Sequence, residues 1–354
     1  MTKSLLVFFA LIIAFSCSKN ETVDSLQTTT KTLEIKGVDV SYLPEIRQSG
    51  IVFYNTNNQP EPMLTTLKKA GVNTIRLRLW KQPNETTSNF NTVKNLVAEC
   101  KNLGLKTLLS VHYSDTWADP SQQLKPQQWQ GIPFDQLKDS VYNYTKKIVT
   151  QINPDYIQIG NEINNGFIFP EGNIANIQQT KALLFKGIQA VRDNNSDTKI
   201  IIHYAGHQNA NTFFANMSDL DYDIIGLSYY PIWHGKDLDV LKQNMNLLAA
   251  NFNKKIMIVE TSYPFTLTWN DWTNNIIGFD SQIITIYSAT PEGQKNYIKK
   301  LEEILLANDN FIGFCYWGGE WVSYKGNTAT NGSSYENQAL WDFNNKALPL
   351  LNEF

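Results

Sequence analysis

The sequence predicts a single (β/α)8 barrel, of the TIM-barrel type, and three observations carry this prediction. Short β-rich runs alternate with amphipathic helical stretches from residue 35 onward, which is typical of parallel strands joined by crossover helices. The expected strands number eight, which is the number that closes such a barrel. No linker or composition shift divides the chain after residue 35, so one domain over 35–354 is the simplest organisation.

Each predicted element follows from its local pattern. The expected strands are residues 35–40, 74–80, 106–112, 155–162, 199–204, 223–229, 255–260 and 311–317. The expected helices are residues 63–70, 93–103, 134–151, 180–193, 238–252 and 292–307. Gly71 and Gly104 stand where a helix commonly ends in glycine. A doubly wound open sheet is the competing architecture, but it would normally place a glycine-rich phosphate turn after the first strand, and residues 39–42 contain no glycine.

Composition places the chain among globular proteins and excludes some partners. Hydrophobic residues make up 42% of the 354 residues and charged residues 18%, which excludes a disordered chain. The net charge of −3 provides no basic face, so we expect no nucleic-acid partner. The nine Trp, 16 Tyr and 18 Phe residues are compatible with aromatic platforms for sugars, although such side chains also fill cores.

The N-terminus has the pattern of an export signal. A basic leader precedes an apolar run at residues 5–15, which is too short to span a membrane comfortably and matches a signal-peptide core. Cys17 follows at once and resembles a lipoprotein processing site, so we expect a signal peptide at 1–17, a polar tether at 18–34 and a lipid anchor on Cys17. This predicts export to the periplasm or cell surface of a bacterium, with membrane contact only through the lipid. The alternative is a plain secretory signal with an incidental cysteine.

Two further cysteines, Cys100 and Cys315, lie in distant parts of the predicted barrel. We therefore expect two inert buried thiols rather than a disulfide.

Polar and aromatic residues cluster at the carboxyl ends of the predicted strands, where barrels of this kind carry their active sites. Arg76 and Arg78 are two residues apart on one strand, so both are expected to point into the barrel and to require carboxylate partners. The obvious partners are Glu162 and Glu260, which end the fourth and seventh strands.

Two carboxyl groups facing one cavity are the minimum apparatus for cleaving a glycosidic bond. One is protonated to assist the leaving oxygen and the other is ionised to attack the anomeric carbon. An arginine would hold one glutamate ionised, while burial and the nearby negative charge would raise the pKa of the other. Each glutamate alone could merely favour a following helix N-terminus, Asn161 could be a cap, and His112 and His203 could be core histidines. Their occurrence together at neighbouring strand ends favours catalysis.

Other chemistries lack their sequence signals. The chain has no HExxH or CxxC motif for zinc, no Gly-x-Ser-x-Gly motif for an esterase and no strand that ends in lysine for a Schiff base.

Six segments resemble glycoside hydrolase family 53, and the resemblance covers residues 35–354. They are residues 37–41, 73–80, 112–120, 157–166, 258–263 and 336–343. The resemblance implies a retaining endo-β-1,4-galactanase with a (β/α)8 fold, which cuts the galactan of pectin and type I arabinogalactan. By motif position, Glu162 would be the acid/base and Glu260 the nucleophile, and Arg78, or less directly Arg76, would pair with the nucleophile.

The resemblance also implies the residues that surround the substrate. His203, Tyr229 and Asn161 would orient the sugar and the carboxylates. The cleft would be lined by Asp39, His112, Asp115, Trp117, Asp119 and Trp317. The expected partner is the polysaccharide itself, bound by a monomer.

Bacterial members of the family are similar to one another in a calcium (Ca2+) site that joins the loops after strands seven and eight. Alignment on neighbouring motifs gives the ligands Asp271, Asn275, Ser333 and Glu336, with Thr273 in the usual position of a histidine and Glu336 in that of an aspartate. Hard oxygen donors suit calcium, yet these are also ordinary loop residues.

Three alternatives stay open at this point. The same barrel and mechanism could act on a β-mannan or a β-xylan, the chain could be a non-catalytic glycan-binding lipoprotein, or the barrel could have no sugar chemistry at all. The presence of both glutamates argues against the second alternative.

Overall fold

Eight parallel strands close into a barrel in sequential order, as seen in a computed structural model that describes Met1 and residues 31–354. The strands are β1 (Ile35–Asp39), β2 (Thr74–Leu79), β3 (Lys106–Val111), β4 (Tyr156–Ile159), β5 (Lys199–Ala205), β6 (Ile224–Ser228), β7 (Lys255–Thr261) and β8 (Phe311–Tyr316). The pairing of β1 with both β2 and β8 completes the ring. The predicted (β/α)8 fold is confirmed.

The helices that connect the strands pack around the barrel. In the described part of the chain they are α1 (Leu43–Gln48), α2 (Met63–Ala70), α3 (Phe90–Asn102), α4 (Phe134–Gln151), α5 (Ile177–Asn194), α6 (Ala210–Asn216), α7 (Pro231–His234), α8 (Leu238–Phe252) and α9 (Pro291–Leu306). Local signals set their ends: the Asn89 side chain accepts the N–H of Thr92 at the start of α3, and Gly71 adopts φ +106° after α2. The sequence did not predict α1, α6 and α7.

The core has two layers. Side chains such as Leu77 and Leu79 pack between the strands and the helices, while a smaller cluster fills the barrel interior. The interior cluster consists of Ile35, Leu108, Tyr156, Ile201, Ile224, Met257, Val259, Ile312 and Cys315. Cys100 and Cys315 are buried free thiols, as predicted, and burial raises the pKa of each to about 12.

The strict alternation of side chains breaks in β7, and this break positions a glutamate. Val259 lies in the barrel interior, so simple alternation would turn Glu260 outward. Instead the register between β6 and β7 shifts, and Glu260 pairs with Ser228 at the carboxyl end of the barrel. A β-bulge of this kind re-aims a side chain, here into the mouth of the barrel.

The N-terminal predictions lie almost wholly outside the described residues. Cys17 and the 1–17 signal peptide stay predictions, as does most of the 18–34 tether. Leu33 already packs into the core, and residues 33–354 form one compact unit, two residues longer than the predicted domain. Within residues 31–354, no helix has the length and apolar character that a membrane span requires.

We expect Gly313→Ala to destabilise the barrel strongly. Gly313 has φ +151°, and a Cβ there would lie 1.9 Å from the backbone oxygen of Ile35 on β1. Because that oxygen belongs to the seam that closes the barrel, the free energy of unfolding should fall by about 3 kcal/mol in chemical denaturation. Gly278→Ala is the control, since a Cβ at Gly278 meets nothing within 4 Å. Equal stability of the two variants would contradict this account of the seam.

Candidate active site

A cleft of about 560 Å³ opens at the carboxyl ends of the strands, and both glutamates line it. Its walls include residues from most of the strand ends and the loops that follow them. Among them are Arg76, Arg78, His112, Trp117, Asp119, Asn161, Glu162, Tyr230, Trp233, Glu260, Trp317 and Tyr335. The structure therefore places the two predicted carboxyl groups in one cavity.

Glu260 is held by a cation and a hydroxyl group. Arg76 Nη2 donates to Glu260 Oε1 at 2.5 Å, and the Tyr230 hydroxyl donates to Oε2 at 3.0 Å. Burial raises the pKa of Glu260, while the Arg76 charge and the Tyr230 hydrogen bond act in the opposite direction. Of the two glutamates, Glu260 is the one with a charged partner, and this ion pair favours its ionised form.

Glu162 has the opposite environment. It follows β4 with φ +47°, a left-handed conformation that is uncommon for a residue with a side chain and that concentrates at functional sites. Burial and then the negative charge of Glu260 raise the pKa of Glu162 to about 8, although the Ser228 hydroxyl donates to its Oε1 at 2.6 Å. A pKa of about 8 keeps Glu162 mostly protonated at neutral pH, whereas the ion pair with Arg76 favours the charged form of Glu260.

Asn161 and His112 are fixed by the hydrogen bonds around them. Asn161 Oδ1 accepts from Arg76 Nη2 at 3.1 Å and from Ser110 Oγ at 2.9 Å, and its amide nitrogen donates to the backbone oxygen of Ala118. His112 Nδ1 accepts from the indole of Trp80 and from the N–H of Ala118. Burial, followed by the charge of Arg78, lowers the pKa of His112 well below its usual value, so the ring is neutral.

The expected pairing of Arg78 with the nucleophile is wrong, because Arg76 makes that contact. Arg76 also donates to Asp39 at 2.7 Å, so it bridges two carboxylates. Arg78 lies one inward position nearer the mouth, where it has no ion pair among the described residues. Its guanidinium packs against three aromatic rings, with Trp117 nearest at 3.9 Å, and its Nε donates to Ser88.

The role expected of Tyr229 belongs to its neighbour. The Tyr229 hydroxyl donates to the backbone oxygen of Gly235, and its ring packs in the outer core. Tyr230 lines the cleft and bonds Glu260. Adjacent residues on an extended chain point to opposite sides, so a difference of one position decides which tyrosine faces the site.

The other predicted cleft residues divide into lining and supporting groups. Trp117, Asp119 and Trp317 line the cleft together with His112. Asp39 lies below it and holds Arg76, while Asp115 accepts the N–H groups of Gln82 and Gln127 and so ties two loops together. His203 is buried behind Glu162 and contacts the site through other side chains.

Besides Tyr230, two aromatic residues of the cleft were not predicted from the sequence, Trp233 and Tyr335. Trp233 lies on the four-residue helix α7 and is 53% exposed, which is unusual for a tryptophan that packs against a neighbouring ring. Tyr335, from the loop after β8, packs edge-on against Trp317 at 4.5 Å. For Trp233 the available signal was the segment 229–233, which holds three aromatic residues directly after a strand end.

Three of the four predicted calcium ligands, Asp271, Asn275 and Glu336, lie together in the loops after β7 and β8. Glu336 Oε1 accepts the N–H of Asn270 at 2.6 Å, and the Glu336 carboxyl interacts with the charge of Asp271 and the amide of Asn275. Glu336 Oε2 and Asn275 Oδ1 are buried without a hydrogen-bond partner. Residues 31–354 contain no group of three or more His, Cys, Asp or Glu side chains that could hold a metal, so a cation here would rely on two carboxylates and neutral oxygens.

Two hydroxyl groups of this region are already engaged. Ser333 Oγ donates to the backbone oxygen of Trp321 at 2.5 Å and accepts the N–H of Tyr335. Thr273 Oγ1 donates to the backbone oxygen of Ala329 and accepts the N–H of Gly332. Thr273 therefore braces the facing loop.

A (β/α)8 barrel with two glutamates at one open cleft, one of them paired with an arginine, has the site of a glycoside hydrolase. The family model of glycosyl hydrolase family 53 matches residues 35–354. The chain belongs to this family.

Individual relatives agree with the family match. The chain is 34% identical over 334 residues to a protein of Cellvibrio japonicus named arabinogalactan endo-beta-1,4-galactanase, with 88% of each chain covered. It is 31% identical over 370 residues to the endo-beta-1,4-galactanase of Bacillus subtilis, which covers 90% of this chain and 85% of the relative. The solved GH53 catalytic domain of Ignisphaera aggregans superposes with a TM-score of 0.85 at 36% identity and covers 90% of this chain and 94% of that one.

We expect Glu260→Gln to lower the pKa of Glu162. The substitution removes the negative charge that helps to keep Glu162 protonated, but burial stays, so the pKa should fall from about 8 and remain above its ordinary value of 4.5. Side-chain carboxyl NMR titration of 13C-labelled protein measures it. Glu292→Gln, on the exposed face of α9, is the control and should leave the Glu162 titration unchanged. A Glu162 pKa equal in both variants would mean that the two carboxyl groups do not interact.

Proposed function

We propose that this protein is an endo-β-1,4-galactanase that cleaves galactan chains, including those of type I arabinogalactan, by a retaining double displacement. The observation that carries the proposal is the pair of glutamates in one cleft, Glu260 paired with an arginine and Glu162 with a neutral serine hydroxyl. The substrate is inferred from the galactanase names of the relatives from Cellvibrio japonicus and Bacillus subtilis.

The first step uses the two glutamates in complementary roles. The Glu260 carboxylate attacks the anomeric carbon, and the bond to the leaving oxygen breaks as Glu162 gives that oxygen its proton. Arg76 keeps the attacking carboxylate ionised, and the Tyr230 hydroxyl holds its second oxygen. The product of this step is a glycosyl ester on Glu260 and a free chain end.

The second step reverses the role of Glu162. Its carboxylate now takes a proton from a water molecule, whose oxygen attacks the anomeric carbon and breaks the ester bond to Glu260. When the negative charge of Glu260 is masked in the ester, the pKa of Glu162 falls, which favours its action as a base. The same electrostatic coupling therefore serves both steps.

The remaining lining residues would hold the sugar. Trp117, Trp233 and Trp317 present partly exposed rings that suit stacking against the apolar faces of galactose units. Asn161 and His112 supply fixed polar groups beside the two glutamates.

Wild-type protein should release reducing ends from linear β-1,4-galactan, and the first products should have the β-anomeric configuration by NMR. Activity should be at least 100-fold lower on β-mannan and β-xylan.

Glu260→Gln should abolish turnover with the fold intact, because it removes the nucleophile. Glu162→Ala should keep more activity on an aryl galactoside with a good leaving group than on galactan, because such a group needs little protonation. First products of α configuration would contradict the retaining mechanism. Equal rates on mannan or xylan would contradict the substrate, and near-native turnover by both variants would contradict the assignment of the glutamates.

We further propose that a calcium ion joins the loops after β7 and β8. Asp271, Asn275 and Glu336 would hold it, because two of their oxygens are buried without partners and all three supply the hard oxygen donors that calcium prefers. The ion would act on loop stability and would take no part in bond cleavage.

Removal of calcium should therefore lower the melting temperature by about 5 °C, and added calcium should restore it. Differential scanning calorimetry with and without a chelator measures the change. Glu336→Gln should abolish the response, whereas Asp280→Asn, an exposed carboxylate of the same loop, should keep it. If neither the chelator nor added calcium changes the melting temperature of the wild-type protein, the calcium site is refuted.

A further inference from the structure

We propose that Gln158, His203 and Ser228 form a fixed hydrogen-bond chain in which Ser228 is a positioning residue for Glu162, so that the chain connects the acid/base to the arginine of the nucleophile. The proposal rests on the proposed function for its kinetic consequences. The hydrogen-bond chain itself follows from the donors and acceptors of these side chains.

The orientation of Gln158 is set by an arginine. Arg76 Nε can only donate, and it lies 2.8 Å from Gln158 Oε1. The amide nitrogen of Gln158 must then point the other way, where it lies 2.8 Å from His203 Nδ1. Both side chains are buried, so water does not offer an alternative arrangement.

The tautomer of His203 follows from this orientation. Nδ1 receives a hydrogen bond from the Gln158 amide and, at 3.2 Å, from the backbone N–H of Glu162, so it is the acceptor nitrogen. Asn161 Oδ1 also lies 3.2 Å from Nδ1, but it already accepts from Arg76 and Ser110. The proton of the neutral ring is therefore on Nε2.

Ser228 completes the chain. His203 Nε2 donates to Ser228 Oγ at 2.8 Å, so the single hydroxyl hydrogen of Ser228 is free to donate to Glu162 Oε1 at 2.6 Å. The register shift that pairs Ser228 with Glu260 brings this hydroxyl to the catalytic level of the barrel. Because Oε1 receives the Ser228 hydrogen, the proton that Glu162 transfers is carried by Oε2.

Charged and titratable groups from several elements surround the Glu162 carboxyl and influence its pKa together with the hydrogen-bond chain. They are Glu260, Asp119, Arg76, Tyr230 and Tyr335. Ser228 differs from these groups because its neutral hydroxyl donates a hydrogen bond to the Glu162 carboxylate. Its removal therefore has a definite sign: the ionised state of Glu162 loses stabilisation, and the pKa of Glu162 rises.

Ser228→Ala should shift the alkaline limb of the kcat/KM profile on galactan upward by about one pH unit, and Ser140→Ala, on the exposed side of α4, should leave it in place. An unchanged limb in Ser228→Ala would overturn the hydrogen-bond chain.

Two measurements separate a failure of this proposal from a failure of the proposed function. Nitrogen-15 NMR of His203 in the wild-type protein should find the proton on Nε2, and a proton on Nδ1 would overturn the chain whatever the substrate. Side-chain carboxyl titration of Glu162 in Ser228→Ala should give a higher pKa than in the wild-type protein even if galactan is not cleaved. Ser228→Thr keeps the hydroxyl and should restore the wild-type titration, which excludes a merely structural role.

Discussion

The buried guanidinium of Arg76 is the group on which the site depends. It is 1% exposed, and it forms ion pairs with Asp39 and Glu260 at 2.7 and 2.5 Å. At this depth the charge is stabilised by carboxylates from two other strands. Arg76 thereby holds Glu260 in position and favours its charged form.

From that single cation the difference between the two glutamates follows. Glu260 has Arg76 beside it, which favours its ionised form, whereas Glu162 has a neutral hydroxyl beside it and experiences the charge of Glu260. Two residues of one chemical type thus acquire different proton affinities through their neighbours. The left-handed backbone at Glu162 and the bulge in β7 are the local distortions that bring both side chains to one cleft.

Alternation of strands and helices was enough to predict the barrel, and the spacing of Arg76 and Arg78 was enough to place both on its inner side. Which arginine pairs with Glu260 was not predictable, because it depends on depth along β2 relative to a bulged β7. The sequence pointed to Tyr229 instead of Tyr230 for a related reason. A one-residue difference in register turns a side chain to the opposite side of the strand, and composition does not show this difference. Helices such as α7, with four residues, are too short for hydrophobic periodicity to reveal.

The proposed calcium region and the cleft are parts of one loop structure. Tyr335 packs against Trp317 in the cleft, and its backbone N–H is held by Ser333, while the next residue is Glu336 with its unpartnered oxygen. A cation that fixes Glu336 would therefore fix the wall against which Trp317 rests. Thr273 braces the same wall through the backbone of Ala329 and Gly332. Loop stability and cleft shape are thus coupled through residues that never touch the reacting bond.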